Sequence, residues 1–136
     1  MRALIDTCVF IDAIQKREPF WEDAAKLLYA AAAFRFEGFT TAKALADIHY
    51  LIRRSLHNEI QTRQHIQQIL RLVNVLDTLA EDSIEALYSV VPDFEDAIMT
   101  QTALRSGIDY IVTRNLKDYI ASPIPGLSPA DFLKRL

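Results

Sequence analysis

Glycine and cysteine are scarce in this chain, and their scarcity narrows what it can be. Three glycines in 136 residues leave few of the tight turns that a hairpin-rich all-β fold needs. The single cysteine, Cys8, has no internal partner, so no disulfide framework is available and a reducing compartment fits. No apolar run approaches the length that spans a bilayer. Asp6 also interrupts the N-terminus too early for a secretory signal, so a cytoplasmic protein without membrane contact is the expectation. There is no glycine-rich phosphate loop, and His49, His57 and His65 show no zinc spacing with one another or with Cys8. Excess basic charge is missing too. The formal net charge is −3, which disfavours coating of nucleic acid by broad charge neutralisation. It does not disfavour a metal site, because clustered carboxylates lower net charge and a divalent cation reverses the local sign.

What is present is a core and a pattern. A hydrophobic content of 51% excludes wholesale disorder, and the length suits one domain, residues 1–136. Ala3, Leu4 and Ile5 form an apolar run without alternation, as in a strand buried on both faces. The run ends in Asp6, where open α/β sheets place their ligands. A short helix is predicted through Val9, Phe10 and Ile14, and Pro19 suits the first turn of a second one through Ala31. Trp21, Leu28 and Phe34 read as core or interface packing. Phe39 to Thr41 is a brief strand, with Thr41 as N-cap of a helix over 42–55 whose apolar residues share one face. Helices over 58–73 and 81–90 flank a strand over 73–76. Asp93 opens a helix to about Ser106, closed by Gly107. Tyr110 to Val112 is a second buried strand, delivering Thr113, Arg114 and Asn115, and Pro129 starts a terminal helix. Strands near 3, 39, 74 and 110 alternating with helices predict an α/β fold, a mostly parallel sheet with helices on both faces.

Five carboxylates stand out in four separate segments: Asp6, Asp47, the pair Asp93 and Asp96, and Asp118. Asp93 and Asp96 share one helix face, whereas Glu95 is expected to point elsewhere. Like charges gathered at one sheet edge repel unless a cation is present, and hard cations such as Mg²⁺ prefer oxygen ligands. Each acid has an ordinary role open to it. Asp6 and Asp93 suit helix caps, Asp96 suits a helix N-terminus, Asp47 suits an ion pair with Lys43, Arg53 or Arg54, and Asp118 suits solvent. Cys8 lacks a partnered histidine and reads as a small buried residue.

Four stretches, taken in order, resemble the PIN-domain family and within it the VapC-like toxin ribonucleases. They are Leu4-Ile5-Asp6-Thr7, Ala46-Asp47-Ile48, Asp93-Phe94-Glu95-Asp96-Ala97, and Thr113-Arg114-Asn115 with Asp118-Tyr119; Ser128 to Leu133 is similar as well. The resemblance implies a three-layer α/β/α sandwich and an endoribonuclease dependent on Mg²⁺ or Mn²⁺. It implies an RNA substrate, an antitoxin that covers the site, and a homodimer. Asp6 matches the first acid of the family and Asp96 the third. Asp47 takes a second position where Glu is more common, and Asn115 a fourth that is often Asp, with Asp118 sharing that role. Metal ligation therefore falls to Asp6 and Asp96, with Asp47 and Asp118 alongside. Thr7 keeps a hydroxyl near Asp6, Asp93 stands by, and Thr113 and Asn115 are expected to orient phosphate or water. Two rivals stay open. One is a phosphotransferase with Asp6 as nucleophile, although its usual second Asp is here Cys8. The other is a degenerate PIN-like module that binds RNA or protein without cutting.

Overall fold

Strand β1 (Arg2–Ile5) takes the centre of the sheet because Ala3, Leu4 and Ile5 are each 0% exposed, apolar side chains on both of its faces. The computed structural model describes residues 1–136. Four further strands join β1: β2 (Glu37–Thr41), β3 (Asn74–Leu76), β4 (Tyr110–Val112) and β5 (Gly126–Leu127). Their order is β3-β2-β1-β4-β5, and every neighbouring pair is parallel. Leu4 stands opposite Phe39 on β2, and Ile5 opposite Val112 on β4. The parallel sheet and its four longer strands match expectation. β5 was not anticipated. Two residues carry no periodicity, and Pro123 and Pro125 before them read as a broken tail.

Seven helices cover the sheet: α1 (Thr7–Ile14), α2 (Trp21–Ala32), α3 (Ala42–Leu56), α4 (Glu59–Leu72), α5 (Ala80–Ala86), α6 (Phe94–Arg105) and α7 (Pro129–Leu133). Alternation along β1 divides the core in two. Ala3 and Ile5 pack with Val9 and Phe10 of α1, Leu27 of α2, Ile48 and Ile52 of α3, and Phe132 of α7. Leu4 faces the other way, with Phe39, Ile111, and Met99 and Ala103 of α6. This is the α/β/α sandwich. No helix is long and apolar enough to cross a membrane.

Local chemistry sets most helix ends. The Thr41 hydroxyl accepts from Ala44 N at 3.0 Å and caps α3 as expected. Ser128 caps α7 with Pro129 in its first position. Gly107, just past α6, adopts φ 65°, a left-handed turn that glycine makes without strain. Three expectations need correction. α2 begins at Trp21, with Pro19 in the turn before it, and α5 stops at Ala86, short of Val90. Of the two roles open to Phe34, the core one fails: it sits beyond α2 at φ 55° and is 94% exposed.

Asp12, which in the sequence merely interrupts an apolar run, is buried and paired. Arg114 donates to its two carboxylate oxygens at 2.9 and 3.2 Å. The guanidinium also lies 4.5 Å from the Phe20 ring. This pair ties α1 to the chain leaving β4, and a buried carboxylate held this way is costly to strand.

Candidate active site

The strand order reverses direction between β1 and β4. In open parallel sheets such a switch leaves a crevice at the carboxyl ends of the two strands. Asp6 and Thr113 are the first residues beyond those ends. The Asp6 N–H continues the ladder, donating to the Val112 carbonyl at 2.9 Å. Asp6 also continues the alternation of β1, so its carboxylate leans to the Leu4 side, toward α6. There the Thr113 hydroxyl donates to Asp6 Oδ2 at 2.7 Å and the Cys8 thiol does so at 3.5 Å. Asp6 is only 8% exposed. Burial pushes its carboxyl above the usual range, and the hydrogen bonds from Thr113 and Cys8 only partly offset this. Although Asp6 occupies the N-cap position of α1, its side chain makes no capping bond. The helix-cap role is thereby removed, and the carboxylate is held by the side chains of Thr113 and Cys8.

The wall opposite is the N-terminus of α6. Asp93 does cap that helix, accepting from Asp96 N at 3.0 Å. Asp96, three residues on, is turned to the crevice. Burial first, and then the charge of Asp6, push its carboxyl up to about 7, with Asp93 and Asp118 adding to the effect. Mutual repulsion of this kind is what convergence of like charges produces. Cys8 is driven up to about 12 by burial and by Asp6, so it is a protonated, inert thiol and not a nucleophile.

The remaining rim comes from α3 and the 3₁₀ turn Leu116–Tyr119. Asp47 lies beside the buried stripe of α3, half-exposed, and is salt-bridged to Lys43 one turn earlier. Lys43 also reaches Glu95 at 3.3 Å. Partial burial works against the ammonium, but the two carboxylates outweigh it and hold Lys43 above its usual value. Asn115 and Asp118 line the crevice from the turn, with Asn115 N donating to the Thr113 hydroxyl at 3.0 Å.

Asp6, Thr7, Asp47, Asp93, Asp96, Asn115 and Asp118 thus border one cleft of about 560 Å³. Thr113 does not. It is fully buried, and its hydroxyl is spent on Asp6, so it steadies that carboxylate from behind and does not face a phosphate. Glu95 was expected to point away and instead lines the cleft beside Lys43. Arg17 and Tyr50 also line it. No periodicity flags Arg17, which follows α1 in a loop, whereas Tyr50 lies one turn beyond Asp47 on α3 and that spacing could have marked it. The carboxylates are gathered but not clenched: no three His, Cys, Asp or Glu side chains close into a ready cage. The donor set still suits a hard cation. It is all oxygen, its two most buried acids are shifted toward protonation, and the hydroxyl of Tyr119 behind Asp96 is buried without a hydrogen-bond partner.

The same architecture recurs in known proteins. A structure of VapBC2 from Rickettsia felis bound to a DNA fragment from its promoter superposes with a TM-score of 0.69 at 17% identity, over 94% of this chain and 98% of that one. VapC20 of Mycobacterium tuberculosis, a Sarcin-Ricin loop cleaving toxin, gives 0.69 at 15% identity over 88% and 94%. A toxin-antitoxin complex from Klebsiella pneumoniae gives 0.69 at 23% identity over 93% and 97%. No curated protein matches. The sequence profile of the PIN domain matches residues 2–117, which takes in β1, β4 and every carboxylate of the cleft but Asp118. With that match and this sheet order, the chain belongs to the PIN-domain family.

Proposed function

We propose that this protein is a divalent-metal-dependent endoribonuclease, the toxin of a toxin-antitoxin pair. One observation carries the reading: carboxylates from four distant segments border a single cleft at the switch point of the sheet. Asp6 and Asp96 would hold Mg²⁺ or Mn²⁺, with Asp47 and Asp118 as further oxygen donors. The ion supplies polarisation of a phosphodiester and acidification of water. The protein's own groups do the rest. Thr113 and Cys8 fix the Asp6 carboxylate. Asp96, its carboxyl pushed up to about 7, must be ionised to serve as a ligand. Lys43 and Arg17 provide the cationic groups in the cleft for the phosphate backbone, and Asn115 offers a neutral amide at the rim. RNA is favoured as substrate by the likeness to the M. tuberculosis toxin. The antitoxin is favoured by the likeness to the K. pneumoniae complex.

The test is cleavage of single-stranded RNA by the purified chain in Mn²⁺ or Mg²⁺ and again in excess chelator. Cleavage is expected only with metal; full activity in chelator would overturn the reading. A second reading has one observation in its favour. Lys43 already neutralises Asp47, as suits a PIN-like module that binds RNA or protein without cutting. Absence of cleavage in either metal, with RNA binding retained, would select it.

A homodimer is part of the proposal. Ile84, Leu87, Tyr88 and Val90, on α5 and the loop after it, are 58–82% exposed and form an apolar strip suited to a second copy. Light scattering should report a dimer that Leu87→Glu dissociates; a monomeric parent chain would remove this element.

A further inference from the structure

Tyr119 is one of two buried residues whose side-chain polar atom is left without a partner, the other being Thr40 on β2. The residue is 3% exposed and packs with Leu4, Met99 and Ile111 in the core between the sheet and α6. Its hydroxyl completes no hydrogen bond. That hydroxyl and the Asp96 carboxylate are near enough to act on each other, but they do not complete a hydrogen bond. The ring has little freedom to turn elsewhere. Gly126 of β5 lies against it so closely that a Cβ there would come within 2.9 Å of the Tyr119 Cβ. Phenylalanine would fill the same apolar space without burying an unmet donor, and a donor left unmet is destabilising. The hydroxyl therefore has no account in the folding of the chain alone.

We propose that Tyr119 is a positioning residue for the cation site, its hydroxyl donating to the Asp96 carboxylate and fixing the direction in which that carboxylate is offered to Mg²⁺ or Mn²⁺. The inference rests on the metal-dependent reading above. Asp96 is the acid with most need of a guide. Asp6 has Thr113 and Cys8, Asp47 has Lys43, and Asp93 is occupied by the cap. No side-chain donor other than Tyr119 bears on Asp96. A ligating carboxylate is a pure acceptor, and a phenol is its complementary partner. Partners behind a metal ligand orient it and tune its affinity in this way.

The test is Tyr119→Phe in the full chain, read by two measurements that do not depend on turnover. Calorimetric titration with Mn²⁺ is expected to show binding weakened about tenfold, the lower end for loss of an outer partner of a metal ligand. Thermal melting without metal is expected to be unchanged or higher, because an unmet donor has been removed. Mn²⁺ affinity weakened less than about threefold, against the range expected for such a partner, overturns the inference. A lower melting temperature without metal overturns it too, by showing the hydroxyl to be structural. If the parent chain binds no Mn²⁺, the inference falls together with the function on which it rests. If the parent binds and the variant binds equally, the inference falls alone.

Discussion

Asp6→Asn is expected to reduce RNA cleavage by more than about 100-fold and to leave the fold intact, with equal or higher melting temperature in the absence of metal. The loss is set by comparison: outer partners of a metal ligand are each worth about 10- to 100-fold, and the ligand itself stands above them. The stability follows from burial. The Asp6 carboxyl is held above its usual range because water is excluded from it, so its charge opposes folding at neutral pH. An amide keeps an acceptor for the Thr113 hydroxyl and removes the charge. Cleavage of an RNA reporter at saturating Mn²⁺, beside a thermal melt in chelator, checks both halves. Cleavage within about tenfold of the parent, far less than a lost ligand allows, would dismiss Asp6 as the first acid. A collapse of the fold would show its carboxylate to be structural after all.

Asp96→Asn should divide stability from function even more plainly. In the folded chain this carboxyl titrates at about 7, against 3.8 as the ordinary value. A raised value means that the folded state holds the proton more tightly than the unfolded one. Its favourable contribution is complete below the ordinary value and is lost as pH rises through the folded one, between about 4 and 7. Without metal, the variant is therefore expected to match the parent near pH 4 and to melt higher than it at pH 8. Saturating Mn²⁺ at pH 8 should reverse the order, since only the parent gains the free energy of a bound ligand. Cleavage by the variant should be lost at every pH. Parallel melting curves from pH 4 to 8, with no crossing on addition of Mn²⁺, would refute this account of Asp96.

Much of this was legible beforehand because it is local. An unalternating apolar triplet marks a central strand, and the acid after it marks the crevice, so β1 with Asp6 and β4 with Thr113 could be read directly. The three-residue spacing of Asp93 and Asp96 is likewise a property of one helix turn. What escaped depends on partners far along the chain. Asp12 gives no hint that Arg114, 102 residues later, completes it. Glu95 lies off the face shared by Asp93 and Asp96, and its place in the cleft is set by Lys43 on another helix. Thr113 could be placed at the crevice, but not its direction, because only the close pairing of β1 and β4 turns its hydroxyl toward Asp6. Tyr119 follows an acid in the sequence and looks like ordinary core. The unmet hydroxyl is visible only once Gly126 has closed behind it.

The bond between Thr113 and Asp6 spans 107 residues of chain, and that has a consequence during synthesis. A polypeptide still emerging from the ribosome carries Asp6 long before it carries Thr113. It lacks the support for that carboxylate, and the second lip of the crevice, until β4 has been made and threaded beside β1. Whatever the cleft does, no product that stops short of β4 can do it.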